Sequence, residues 1–375
     1  MVDLALKMLI DDKARFLATV LGVGFAVALV LIQVGLFFGL LENASITIDK
    51  LDADLWVAAR NTPNVDFGNP FPETHVQRVR SIPGVARADN LIVWYAVVSL
   101  PSGAKESVIY YGLDDFNRWN FPWNVVEGST ADLRRGRFVL LDESASRRFG
   151  PFSAGDEREF QARRLKVIGR TRDARSFTTN PMAFIDYRLA QDLSAGELGG
   201  QTTFIIVKLE RWADAKAVRQ EIERRLPYND VHTKAEWAAT SRRYWIESTG
   251  LGLTIFLTVS LGALVGVVIV AQTLYASTTE HLAEFGTIKA LGGRDLDVYG
   301  LIGEQAMFAA AFGFALGLAL TFGLRPFLDQ FDMKMTVSPA LAALVFVGTE
   351  VLCLSASVLS LRKVRRLDPA IVFRG

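Results

Sequence analysis

Two apolar runs, Leu251–Leu274 and Leu301–Leu324, are joined by the short polar segment Tyr275–Gly300. Each run reaches the ~20 residues that an α-helix needs to cross a bilayer. Together they predict a transmembrane hairpin with its connector at one membrane face. Two further runs of spanning length occur, Phe16–Leu41 and Ala340–Leu361. The first competes with a secretory signal peptide, whose apolar region runs to about 7–15 residues. At 26 residues and without a persuasive A-x-A site, it reads as a retained anchor.

The predicted order is an amphipathic N-terminal helix (1–15), span 1 (16–41), a hydrophilic region with stalk (42–250) and span 2 (251–275). A connector helix (276–300), span 3 (301–324), a short outer loop (325–339), span 4 (340–361) and a basic tail (362–375) complete it. The N-terminal segment carries Asp3, Lys7, Asp11 and Arg15 at steps of four, and opposite charges at that spacing support a helix. Orientation follows from the short loops. The N-terminal tail, connector and C-terminal tail hold ten Lys and Arg against two in the outer loop, Arg325 and Lys334. The positive-inside rule then makes both termini cytoplasmic and the large region external.

The connector has its own structure. Ser277-Thr278-Thr279-Glu280 has the spacing of a helix start, and Gly292-Gly293 marks a helix end. Between them Leu282, Phe285, Ile288 and Leu291 recur every three residues and line one side. An amphipathic helix at the mouth of a hairpin is a shape that docks into a groove on a soluble partner. The same strip also suits a helix resting on lipid headgroups, although Lys289 is then the only base opposing Glu280 and Glu284.

In the outer region, Arg137–Leu141, Leu165–Gly169 and Thr203–Leu209 read as strands, and Thr74–Ser81 and Ala213–Leu226 as helices, which together predict α+β structure. Lys234–Gly250 reads as a helix feeding straight into span 2, with Trp237, Tyr244 and Trp245 near the membrane surface. A continuous helix there would act as a stiff lever. Trp94, Tyr95, Trp119, Phe121 and Trp123 are read either as an exposed patch for a partner or apolar substrate, or as a local core around a turn.

The chemistry is sparse. No G-x-x-x-x-G-K-[ST], H-E-x-x-H or G-x-S-x-G occurs, and His75, His232 and His281 are far apart. The single Cys353 excludes an intrachain disulfide and a cysteine-based zinc cluster. With 41 basic and 40 acidic residues, charge gives no argument for nucleic acid. Small residues four apart, Gly35 and Gly39, Gly262 and Gly266, Gly313 and Gly317, allow close helix approach within a four-helix unit or at a dimer seam. Glu350 falls near the middle of span 4, where a charged carboxylate costs about 2.5–3.5 kcal/mol even on the lenient scale. It is expected to be protonated or paired, with Gln33 and Gln272 as candidate partners. Glu304 and Gln305 stand at the start of span 3 and read as interfacial.

These residues carry a resemblance. EHLAEFGTIKALGG (Glu280–Gly293) resembles the cytoplasmic coupling segment of FtsX/MacB-type ABC permeases, a Glu-containing helix running into a (K/R)ALG turn. Val265–Gly293, Leu140–Pro151 and Tyr244–Gly252 are similar more narrowly to the DevC-type branch. The resemblance covers nearly the whole chain. It implies a membrane α-helical fold of four transmembrane helices, with a large α+β extracytoplasmic domain between helices 1 and 2. That domain would have a porter-like part with a lobe inserted near Gly136–Gly200. Glu280, Leu282, Glu284, Phe285, Ile288, Lys289, Leu291 and Gly292 would couple to a separate ABC ATPase. That ATPase, rather than this chain, would bind ATP and Mg. The resemblance further implies a homodimer in the bacterial inner membrane among its lipids, a periplasmic adaptor and an outer-membrane channel. Its cargo would be a lipid, glycolipid or small hydrophobic compound. Two other readings stand beside it: an FtsX-like regulator of a cell-wall hydrolase, and a membrane-anchored sensor.

Overall fold

The structure is a computed structural model that describes residues 7, 13–134, 136–178, 180–280, 284, 287, 294–331 and 333–364. It divides at Gly39/Leu40 and Gly250/Leu251 into two compact units.

The helical unit is built on four helices long and apolar enough to cross a membrane. They are α1 (Lys13–Lys50), whose end belongs to the other unit, and α8 (Leu251–Glu280), α9 (Asp295–Gln330) and α10 (Pro339–Val364). All four exceed the apolar runs that announced them. Helix hydrogen bonds continue wherever nothing breaks them, and α8 carries on through the polar Ser277–Glu280. The outer loop expected over 325–339 is correspondingly shorter, because α9 extends to Gln330. Val23, Val27 and Leu31 of α1 pack with Val270 and Leu274 of α8, Ala306 and Ala310 of α9, and Cys353 of α10. The N-terminal helix expected over 1–15 lies mostly outside the described residues.

The α+β unit holds a ten-stranded sheet. Its strands are β1 (Leu55–Ala59), β3 (Val85–Ser99), β4 (Lys105–Leu113), β5 (Val125–Glu127), β6 (Phe138–Asp142), β7 (Glu157–Phe160), β8 (Arg163–Thr171), β9 (Met182–Asp186), β11 (Phe204–Leu209) and β12 (Asn229–Thr233). A two-stranded pair joins β2 (Phe71–Pro72) to β10 (Gln201–Thr202). The helices are α2 (His75–Arg80), α3 (Ala145–Phe149), α4 (Tyr187–Leu193), α5 (Ala195–Leu198), α6 (Ala215–Arg225) and α7 (Lys234–Ser248).

The 15-residue β3 serves two halves. Val85–Leu91 pairs with β11, which pairs with β1 and through it β12. Alternate residues of these strands, Leu55, Val57, Ile205, Val207 and Val231, bury against Val76 and Val79 of α2 and Val218 and Ile222 of α6. Ile92–Ser99 pairs with β4, and pairing then runs through β9, β6, β8 and β7 back to β3. Six strands therefore close into a ring, which removes their open edges. β4 and the second half of β3 thus share this ring with the strands of the Gly136–Gly200 region, where an inserted lobe is expected. The strand that enters it is the one that leaves the first half, so no loop marks the boundary.

Candidate functional site: the coupling segment and the stalk

Of the eight coupling residues, Leu282, Phe285, Ile288, Lys289, Leu291 and Gly292 lie outside the described residues. Glu280 is the exposed last residue of α8, and Glu284 has helical backbone and is exposed.

Each glycine pair of the spans meets this same chain. A Cβ on Gly317 would stand 2.7 Å from the Gly24 carbonyl oxygen and from Val27 of α1. One on Gly313 would collide with Val23. Gly262 and Gly266 face α1 at Leu29 and Ala26, at 3.0 and 3.2 Å. A Cβ on Gly39 would strike the Lys334 carbonyl, and the Gly35 carbonyl accepts a hydrogen bond from the Thr336 N–H at 2.9 Å. Small residues on three helices thus let α1 lie against α8, α9 and the segment after α9.

Glu350 is half-buried on α10, and its Oε2 has no hydrogen-bond partner among the described residues, neither Gln33 nor Gln272 included. Glu304 Oε2, Gln305 Nε2 and Thr278 Oγ1 share that condition, and Gln305 is 1% exposed. Gln305 therefore faces inward among the helices.

The stalk is where the α+β unit takes hold of the helices flanking it in sequence. α7 begins in a capping box, with Thr233 Oγ1 accepting from the Glu236 N–H at 3.3 Å and Glu236 Oε2 accepting from the Thr233 N–H at 2.9 Å. Trp237, Ala238, Ser241 and Trp245 recur at helical spacing and are buried. This face meets the end of α1. Ser241 Oγ donates to the Ala44 carbonyl at 2.7 Å, Arg242 Nη1 to Ser45 Oγ at 2.6 Å, and Lys234 Nζ to the Leu51 carbonyl at 3.0 Å. Thr47 in turn meets the Tyr111 hydroxyl of β4 at 2.9 Å. The helix that continues span 1 and the helix that precedes span 2 are therefore fastened to each other and to the sheet. These contacts were invisible in the sequence, where Glu42 marked the end of an apolar run and nothing showed that helix continues to Lys50.

The lever is not continuous. α7 ends at Ser248, and Gly250 has φ +67 before α8 starts at Leu251. An L-residue avoids this left-handed conformation, so Gly250 is a built joint.

The aromatic cluster of the outer domain is core. Trp119 and Phe121 are fully buried, packing with Tyr111, Phe116 and Phe184, while Trp123 is half-buried against them. Trp119 Nε1 donates to Asp89 at 2.8 Å, the Arg87 guanidinium lies 4.6 Å from its ring centroid, and Arg80 pairs with the same Asp89 at 2.5 Å. Trp94 stands apart from them and donates to Glu197 at 2.6 Å.

A set of four bilayer-length helices with one large α+β unit between the first and second defines the class first: a membrane protein with a single inserted α+β domain. Comparison with known proteins then gives the family. Residues 16–225 match the MacB-like periplasmic core domain and residues 256–369 the FtsX-like permease C-terminal domain. The chain belongs to the FtsX/MacB-type family of ABC transporter permeases. It is 25% identical over 377 residues to an uncharacterized ABC transporter permease of Mycobacterium tuberculosis, with 100% of both chains covered. It is 21% identical over 360 residues to an uncharacterized ABC transporter permease of Methanocaldococcus jannaschii, covering 89% of this chain and 86% of that one. It is also 25% identical over 404 residues to the macrolide export ATP-binding/permease protein MacB of Escherichia coli, covering 98% of this chain and 59% of MacB. Membership of this family implies an ATPase partner.

Proposed function

We propose that the chain is the permease subunit of a tripartite ABC exporter in a bacterial inner membrane, working as a mechanical transmission. ATP and Mg are bound by a separate ATPase whose groove receives Leu282, Phe285, Ile288 and Leu291, while Glu280, Glu284 and Lys289 fix the register and Gly292 ends the helix. The observation that carries this reading is the stalk. α1 and α7 are hydrogen-bonded to each other within the α+β unit, and each leads in sequence to a membrane span. A displacement of span 1 then reaches the outer domain through the unbroken α1 as a displacement of a fastened helix pair, while span 2 joins that pair through the break at Gly250. Two copies would act together, and the outer domains would drive a lipid, glycolipid or other hydrophobic compound outward through a periplasmic adaptor and an outer-membrane channel.

The test is copurification of the ATPase. Phe285→Asp and Leu291→Asp each place a charge on the strip that enters the groove, and each should abolish association while leaving the permease in the membrane. Survival of the complex with both changes would remove the assigned role from this segment.

A further inference from the structure

The segment between β1 and β2 carries a buried acid at the root of the stalk. Asp66 is 3% exposed, its Oδ2 has no hydrogen-bond partner among the described residues, and the Nδ2 of Asn64 beside it is likewise buried without one. Asn64 Oδ1 accepts from the Asp66 and Phe67 N–H groups, both at 2.9 Å, which folds the segment into a tight turn. That turn holds Phe67 against Tyr95 of β3, with ring centroids 5.9 Å apart, and against Trp245 and Tyr244 on the last turns of α7, at 5.8 and 6.3 Å. Phe177 also stacks on Trp245, with ring centroids 4.0 Å apart. Three residues later α7 ends, and Gly250 is the joint.

The titratable groups that face Asp66 are phenols. Tyr95 and Tyr111 are both raised above the usual tyrosine range, chiefly by burial and then by the Asp66 carboxylate. On the stalk helices, Arg242 and Asp49 face each other. Among the described residues no Lys, Arg or His offsets the charge of Asp66, and burial pushes its carboxyl up to about 7.

We propose that Asp66 is a proton-operated latch on the stalk: protonated, it lets segment 60–70 close and press Phe67 onto Trp245, and on losing its proton it draws the segment open toward water and releases the end of α7. The sign follows from linkage. The closed segment binds a proton that the open one, with an ordinary carboxylate, has lost. Closure is therefore strongest in acid, weakens as pH rises from about 4 to about 7, and changes no further above that. Within this window the opening equilibrium rises roughly tenfold per pH unit.

The experiment is hydrogen exchange on the full chain in lipid nanodiscs, corrected for intrinsic rate, read at the Asp66 and Phe67 amides between pH 5 and 9. Protection should fall roughly tenfold for each pH unit from 5 to 7 and then level off. Asp66→Asn, neutral throughout, should hold the acid-form protection at every pH. Protection of the wild-type amides that does not change with pH would overturn the proposal, and so would an unaltered pH dependence in Asp66→Asn. The wild-type profile decides alone if the variant does not fold.

Discussion

Replacing Trp119 separates a structural aromatic cluster from a binding surface. The indole is fully buried, donates to Asp89, itself 4% exposed, and lies under the Arg87 guanidinium. Trp119→Ala removes a whole core side chain, which costs about 3–5 kcal/mol. Trp119→Phe keeps most of the volume but takes one donor from a buried carboxylate. Hydrogen bonds to charged groups contribute about 1.5–3 kcal/mol, and Arg80, still 2.5 Å from Asp89, holds the loss toward the lower figure. For a domain of this size each kcal/mol moves the midpoint by about 2–4 °C, so Trp119→Ala should melt roughly 6–20 °C lower and Trp119→Phe roughly 3–6 °C lower. The assay is thermal unfolding of the β-rich domain followed by circular dichroism, on full-length protein in nanodiscs. If Trp119→Ala melted within a degree or two of wild type while cargo or adaptor binding was lost, the cluster would be a surface and its placement in the core would be wrong.

The spans and the order of elements were legible because bilayer length leaves one solution for an apolar run, a helix. Strands β6, β8 and β11 and helices α2 and α6 were legible from local pattern and punctuation. What escaped the sequence depended on distant partners. Ser45, Ile46, Thr47 and Ile48 are poor helix signals, yet they stay helical because α7 and Tyr111 hold them. Gly250 reads as one more membrane-adjacent glycine until its φ shows a break. The two halves of β3 belong to different parts of one sheet, and no residue along it announces the change. Asp66 could not be told from any loop aspartate, since only burial distinguishes it.

Further outcomes follow from the same contacts. Gly317→Leu forces a side chain into the Gly24 backbone and should destabilise the helical unit by about 1–3 kcal/mol, seen as a lower detergent-denaturation midpoint. Gly250→Ala, with φ +67 to satisfy, should cost about 1–2 kcal/mol or let helix run through the joint. Under the proposed transmission role, uncoupling of ATP hydrolysis from cargo release in that variant, with the ATPase still bound, is the expected readout. Asp66→Asn should gain stability over wild type as pH rises toward 7 and above, with a ceiling near 4 kcal/mol set by about three pH units at 1.36 kcal/mol each. Chemical denaturation at pH 5 and pH 8 measures it, and an equal difference at both values would refute it.

The account rests on the α+β unit lying outside the membrane while the connector lies inside. Cys353, buried in α10, is the only cysteine, so a Cys353→Ser background carries no thiol. Trp212→Cys and Tyr228→Cys then place one at positions 75% and 80% exposed. A membrane-impermeant maleimide applied to intact spheroplasts should label both, and should label a cysteine at Thr287 only after lysis. Labelling at 212 and 228 that required lysis would put the domain in the cytoplasm and contradict the transmission scheme.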